Sequence, residues 1–515
     1  MNPLVQNLFI RSLGFSYLLA FASLLSQIKG LIGSTGILPA TEYLTILKTK
    51  SLGFFNIPSI FWFDSSDNFM VMACLLGILV SFYLVIRRQK NELDLVEFAS
   101  LLTLYLIYLS FVNTSRDFLS FQWDVLLLEV GFLTSLFSLF KTNEFASNIF
   151  KWLFRLLLFK LIFMSGLVKI SSNDPTWSSL KALDFHYYTQ PLPNPLSYLI
   201  HQLPSWFHKL SIIIMFVIEL LFPFFIFCRK NLRELAAWGF MALQLIIIMT
   251  GNYCFFNILS IFLCLWLFDD STIKRLIPES LEMQLSNVRT VSGSLEIISS
   301  FIKNRLDSVS SIDPGHRLRT KLIKVLIIAF AVLTIFLDCY FIFSRSPIKL
   351  KTRLAVVRKV SPLIQPLRYY FINNAYGLFA NMTTSRKEII IQGANEDLDW
   401  QEYEFKYKPQ NPQECPRQVA PHQPRLDWQM WFAALKPRPS PWFMQLIGRL
   451  LNNEKEVINL IKTNPFPDKA PKYIRALLYD YQFTSLDEYS KTQNFWKPKL
   501  LGAYLPKTAL GLYRN

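Results

Sequence analysis

Cysteine and glycine are scarce in this chain. Six cysteines occur in 515 residues, and Cys74, Cys228, Cys254, Cys264 and Cys339 lie in or at the ends of hydrophobic segments. Only Cys415 falls in a polar stretch, so that stretch cannot build its own disulfide framework. No C-x-x-C pair exists for thiol exchange. G-x-S-x-G, P-loop and H-E-x-x-H motifs are also missing, which leaves hydrolase and ATPase readings without support. The first apolar run, Leu13 to Ile32, ends without a small-residue cleavage motif. It is therefore expected to be a spanning helix that doubles as the targeting signal. The terminal Leu512-Tyr513-Arg514-Asn515 matches no retrieval signal.

What the chain has in abundance is apolar length. Hydrophobic residues make up 52% of it, with 46 Phe, and the mean hydropathy is +0.29. Runs long enough for a ~30 Å hydrocarbon core occur near Leu13–Ile32, Asn68–Ile86, Val96–Val112, Trp123–Phe140, Trp152–Ile170, Phe207–Cys228, Leu235–Met249, Phe255–Phe268 and Leu322–Phe343. About nine transmembrane helices are expected, with eight or ten as alternatives, because the seventh and eighth are separated only by a break at Gly251-Asn252-Tyr253 that also fits a re-entrant segment. The net charge of +17 is assigned to membrane-flanking loops rather than to nucleic-acid binding. Lysines and arginines concentrate in alternate loops, which places the N-terminus in the cytoplasm and the C-terminal region outside. The cluster Arg345, Lys349, Lys351, Arg353, Arg358 and Lys359 runs against this pattern but comes last.

The expected fold is thus an α-helical polytopic membrane protein with a C-terminal, mostly-β extracytoplasmic domain carrying a helical insert. Residues 1–344 form the membrane domain, with a cytoplasmic loop at 269–320, and residues 345–515 the outer domain. In the latter, Thr384–Gly393 and Trp400–Lys408 read as a hairpin, and Leu477, Tyr479, Tyr481 and Phe483 alternate as a strand. Trp428–Leu435 and Pro441–Lys462 have helical spacing.

Charge inside a bilayer is costly and normally paired. Asp124 and Glu129 on the fourth run, and Lys169 and Lys160 on the fifth, are expected as two stacked ion pairs, Asp124 with Lys169 and Glu129 with Lys160. Arg155 should face the cytoplasmic headgroups. Asp174, Trp177, Asp184, His186 and Tyr187 form an outer-loop cluster, and the spacing of Asp174, Asp184, His186 and His201 matches no strong metal-ligand pattern. No metal is expected, and the cluster reads as a packed lid. Trp400, Trp428, Trp431 and Trp442 are candidates for a client-binding patch, with core filling as the plain alternative.

Phe185 to Pro195, with Gly166-Leu167-Val168-Lys169 before it, resembles the signature of the lipase maturation factor family. The resemblance continues in Gln27 to Ala40, Phe121-Gln122-Trp123-Asp124, Tyr376-Gly377-Leu378-Phe379, Tyr403 to Lys408, Val419 to Trp431 and Asn464-Pro465-Phe466-Pro467. It implies a non-enzymatic, chaperone-like assembly factor. Its partners would be the lipid bilayer and partly folded secreted lipases, whose active, usually dimeric, form it promotes. It would sit in the endoplasmic reticulum of a eukaryote or the inner membrane of a bacterium. No cofactor is implied. The membrane half is also similar to the vitamin K-dependent γ-carboxylases of the HTTM superfamily. That likeness implies an alternative: a membrane enzyme acting with a quinone or lipid, Lys169 as its base. Ile170 stands where the carboxylase pattern has a second lysine. The sequons at Asn113 and Asn381 would matter only in an endoplasmic reticulum.

Overall fold

The computed structural model describes residues 3–87, 94–276, 315–346, 350–396 and 399–510. Its N-terminal part is a helical bundle. The elements are α1 (Pro3–Leu25), α2 (Asp67–Ile86), α3 (Leu95–Thr114), α4 (Gln122–Phe140), α5 (Glu144–Ser171), α6 (Ser205–Phe216), α7 (Lys230–Thr250), α8 (Phe256–Leu263) and α9 (Gly315–Arg345). A π turn, Val217–Leu221, and a short helix, Phe222–Phe225, extend α6, and a 3-10 turn, Cys264–Leu267, extends α8. Seven of these helices are long and apolar enough to cross a membrane. The 28-residue α5 is as long, but it carries Lys151, Arg155, Lys160 and Lys169. The α8 segment is short, yet it leads from Asn252, bonded to the C-terminal domain, to Asp270, which accepts from the α1 amides of Leu4 and Val5. The chain is a multi-pass helical membrane protein, with seven candidate spans among its described residues.

Polar caps set where the helices begin. Ser66 accepts from the Phe69 amide at 3.3 Å, Asp94 from Glu97 at 3.1 Å and Asn143 from Ala146 at 3.1 Å, each satisfying an otherwise orphaned donor. The first helix differs from expectation: it starts ten residues earlier and stops at Leu25. Ser23 and Gln27 bond instead to the C-terminal domain, and Ile28–Ile32 forms a separate turn. The N-terminal face is closed by buried pairs, Lys141 with Glu97 at 2.9 Å and Arg87 with Asp94. Arg155, expected at the headgroups, is buried there: its Nε donates to the Trp266 carbonyl at 3.0 Å, and its guanidinium lies over Trp152. Most of the expected 269–320 loop, residues 277–314, lies outside the described residues.

After α9 come α10 (Leu350–Ile364) and a 3-10 turn, Gln365–Tyr370, and then the C-terminal domain. Its main sheet has the order β2-β1-β5-β6, built from β1 (Arg386–Ala394), β2 (Gln401–Glu402), β5 (Tyr473–Phe483) and β6 (Trp496–Thr508), all antiparallel. The expected hairpin is real but brief. After Glu402 the chain leaves the sheet, and β3 (Glu404–Phe405) pairs instead with β4 (Ile461–Thr463). The helical insert is α11 (Arg425–Ala434) and α12 (Pro441–Leu451), the latter with Pro441 in its first turn. The expected helix to Lys462 stops at Leu451, because Asn452-Asn453 turns the chain, with Asn453 at φ +52°.

Candidate functional site

The C-terminal domain sits on the face where α1, α3, α5 and α7 end, and the seam between domain and bundle gathers nearly every charged residue singled out above. Three ionic clusters occupy it. In the first, Lys160 Nζ lies 2.7 Å from Glu129 Oε1, 2.7 Å from Asp338 on α9 and 2.9 Å from Asn373 Oδ1. Glu129 Oε2 accepts from the Tyr376 hydroxyl at 2.7 Å and the Asn374 amide at 2.9 Å. Residues 371–379 therefore dip into the bundle to reach charges about two helical turns below the end of α4. Gly377 serves this dip: its φ is +139°, and a side chain there would run into Val168.

The second cluster corrects the expected partner of Asp124. Arg425 Nη1 and Nη2 each donate to an Asp124 oxygen at 2.8 Å, Nη1 also to the Phe118 carbonyl at 2.8 Å. The Tyr108 hydroxyl donates to Asp124 Oδ1 at 2.6 Å. Both ionic side chains are at most 1% exposed. Burial alone would lower the Arg425 guanidinium, but Asp124 and Tyr108 outweigh it and hold it above its ordinary value. A bidentate fork on a carboxylate is the strongest such geometry.

The third cluster takes Lys169. Its Nζ donates to both oxygens of Glu219 at 2.7 Å and lies 5.5 Å from the Trp177 ring centroid. Glu219 stands in the π turn, and Gly166 lets that turn approach α5 where a side chain would strike Leu220.

The outer loop behaves as a docking platform. Asp174 Oδ1 accepts from the Thr176 amide at 2.8 Å and Oδ2 from the Met382 amide at 2.9 Å; burial opposes its charge, but these bonds keep its carboxyl below the ordinary range. Trp177 Nε1 donates to the Phe379 carbonyl at 3.0 Å. Asp184 accepts from the Ser205 hydroxyl at 3.0 Å. His186 Nε2 is 3.2 Å from the Tyr253 hydroxyl, and burial, then Lys169, push its imidazole down to about 4. Tyr187 is buried, its ring against His208. Arg386 of β1 caps the following turn, donating to the carbonyls of Tyr188 at 3.0 Å, Pro191 at 2.8 Å and Gln190. No group of three His, Cys, Asp or Glu suited to a metal occurs among the described residues.

The tryptophans also belong to the seam. Trp428, Trp431 and Trp442 are buried, which corrects their reading as a client patch. Trp428 packs on Trp123 of α4 at 4.8 Å, Trp431 Nε1 donates to the Thr189 carbonyl at 2.8 Å, and Trp442 meets Phe118. Trp400 is half-buried, with the Arg475 guanidinium 4.2 Å from its ring centroid. Sequence reasoning missed Glu219, Asp338, Arg386, Arg425, Asn373, Asn374 and Tyr376. Glu219 and Asp338 could have been found, each being a lone acid in an apolar run. Arg386 and Arg425 look like ordinary surface charges until the fold is known.

Such an arrangement defines a class: a polytopic membrane protein whose extramembrane domain is keyed into the bundle by buried charge. Residues 4–275 match the lipase maturation factor transmembrane domain, and residues 372–506 the lipase maturation factor C-terminal domain. The chain is 34% identical to lipase maturation factor 2 of Xenopus tropicalis, over 99% of its own length and 83% of that protein's. It is 32% identical to lipase maturation factor 1 of Mus musculus (98% and 87% covered) and 30% identical to lipase maturation factor 2 of Homo sapiens (99% and 83%). The chain belongs to the lipase maturation factor family. No solved structure matches it.

Proposed function

We propose that this protein is a membrane-bound assembly factor that binds partly folded secreted lipases and promotes their active, dimeric form. The observation that carries this reading is the match of both family domains, transmembrane and C-terminal, in one chain. The C-terminal domain faces the lumen of the endoplasmic reticulum in a eukaryote, or the periplasm in a bacterium, with the N-terminus in the cytoplasm. The reading needs no cofactor, and it gives Lys169 a structural role, in keeping with its pairing to Glu219.

With three tryptophans withdrawn into the seam, client contact falls to apolar side chains left on this face. Phe54, Phe55 and Phe63 of the loop between α1 and α2 are 41%, 84% and 82% exposed, and Leu500 and Leu501 of β6 are 54% and 48% exposed. Exposed aromatics of this kind supply anchors at interfaces. The test is active lipase secreted by cells lacking the protein and complemented with wild type, Lys169→Met, Phe55→Asp with Phe63→Asp, or Leu500→Glu with Leu501→Glu. At matched protein abundance, at least one surface pair should lower lipase activity and the dimer fraction, while Lys169→Met lowers activity only as far as it lowers abundance. Loss of activity with Lys169→Met at normal abundance would overturn the structural role. Wild-type lipase output from cells lacking the protein altogether would overturn the lipase reading.

A further inference from the structure

A cleft of about 540 Å³ opens between the upper half of α1 and the C-terminal domain, apart from the three ionic clusters. Its lower wall belongs to the bilayer-facing side of α1. Phe15, Leu19, Ala22 and Ser26 follow one another at helical spacing on a single stripe, and Phe15, Ala22 and Ser26 are exposed and Leu19 half-buried. Leu19, Ala22 and Ser26 line the cleft directly, so the cleft continues the surface that meets lipid chains. Along the stripe, chemistry changes from Phe, Leu and Ala to Ser just where α1 ends.

The upper wall is polar and basic. Lys406, Tyr407 and His422 line it, the imidazole tilted against the Tyr407 ring at 5.5 Å. The Lys406 ammonium spends one of its three donors on the Asn459 carbonyl. His422 engages Ser23 through Nδ1 at 3.0 Å, which leaves Nε2 without a hydrogen-bond partner among the described residues. The acid of the lining, Asp427, is turned onto the amides of Tyr407 at 2.8 Å and Lys408 at 2.9 Å.

We propose that this cleft is a binding site for one glycerophospholipid of the leaflet next to the C-terminal domain. Its phosphate lies against Lys406 and His422, and one acyl chain runs down the Leu19–Ala22 stripe. The volume falls within the ~300–1,000 Å³ of small-molecule sites, enough for a headgroup and the start of a chain whose remainder stays in the bilayer. A free anion would use the upper wall alone and leave the apolar stripe without a role. The bound lipid would tie α1 to the C-terminal domain whether or not lipases are the clients.

Native mass spectrometry of the detergent-purified, full-length protein titrated with phosphatidylglycerol tests this. The first lipid should bind about tenfold more tightly than later ones, the worth of one charge-assisted hydrogen bond. Lys406→Glu, and separately Ala22→Trp, which fills the cleft from its exposed side, should each erase that difference. Met72→Trp, on the exposed side of α2, should keep it. Diacylglycerol should lack the tight first step, and inorganic phosphate should not displace the lipid. Equal affinity for first and later lipids, or a tight step that survives both cleft variants, overturns the proposal. So does displacement by inorganic phosphate, which would make the site one for a free anion.

Discussion

Arg425→Met tests whether the C-terminal domain is held by buried charge. Methionine keeps much of the length and apolar bulk of the arginine but removes the two bonds to Asp124 and the one to the Phe118 carbonyl. Asp124 is then left fully buried without its counter-charge. Breaking a buried pair from one side costs about 3–5 kcal/mol. The Tyr108 bond at 2.6 Å remains to the stranded carboxylate, so a loss near 3 kcal/mol is expected. Adding Asp124→Asn removes the stranded charge. The double variant should therefore recover at least about 1 kcal/mol, a coupling typical of residues in one network. Stability is read from thermal unfolding in detergent and from abundance in the membrane. A local reporter is Cys254, which is buried and lies close enough to sense both Arg425 and Asp124. With Cys228, Cys339 and Cys415 changed to Ser, maleimide should label Cys254 faster in Arg425→Met than in the parent. Unchanged stability and labelling in Arg425→Met, or a double variant no better than the single, would refute the reasoning.

In the deeper cluster, Lys160→Met should lower stability more than Glu129→Gln, because it strands both Glu129 and Asp338; equal effects in thermal unfolding would place Asp338 outside the cluster. Trp428→Ala should cost about 3–5 kcal/mol by emptying a packed site, whereas Trp400→Ala should stay within about 1 kcal/mol, and a reversal would return Trp428 to the surface. Acidification should destabilise the protein. Burial holds His186, His201 and His422 down at about 4, so the stability they carry is complete above 6.5 and is lost as pH falls from 6.5 towards 4. Asp427 acts in the opposite sense: burial raises its carboxyl to about 6, so it favours the folded state as pH falls from 6 towards 4. Among these four groups the imidazoles outweigh the carboxyl, so His201→Gln should flatten the fall in melting temperature between pH 7 and pH 5, and an unchanged slope would contradict the assignment.

The apolar runs were legible because a bilayer leaves the backbone few choices: a run of sufficient length must be helical. The break at Gly251-Asn252-Tyr253 was legible too, and the structure puts it to use. Asn252 Oδ1 accepts from the Val419 and Ala420 amides at 2.7 and 2.9 Å, and Tyr253 reaches His186. Less could be read where long-range bonds override local pattern. Tyr403, Phe405 and Tyr407 alternate as one strand would, but the Gln410 side chain bonds to the Tyr403 carbonyl at 3.0 Å and the chain changes sheets. The Asn113 sequon is buried, its Nδ2 given to the carbonyls of Pro58 and Tyr369, while Asn381 is exposed.

The ion pairs show why the seam was only half visible. Depth along antiparallel α4 and α5 matches Glu129 to Lys160, and the two lie 2.7 Å apart. The same arithmetic matches Asp124 to Lys169, because it weighs only neighbouring helices. The actual partners come from elsewhere: Arg425 lies 301 residues on from Asp124, and Glu219 is presented to Lys169 by a π turn that heptad or 3.6-residue spacing does not anticipate. Asp124, Glu129 and the carbonyls after Tyr187 all spend their bonding capacity on the C-terminal domain. It follows that removing this domain would do more than delete a surface. A chain ending at Ser346 would leave Asp124 without Arg425 and Glu129 without Tyr376 and Asn374, inside the apolar bundle. Loss of function on truncation therefore cannot by itself locate the proposed client contact; only substitutions at exposed positions such as Phe55 and Leu500 separate that proposed contact from the scaffold.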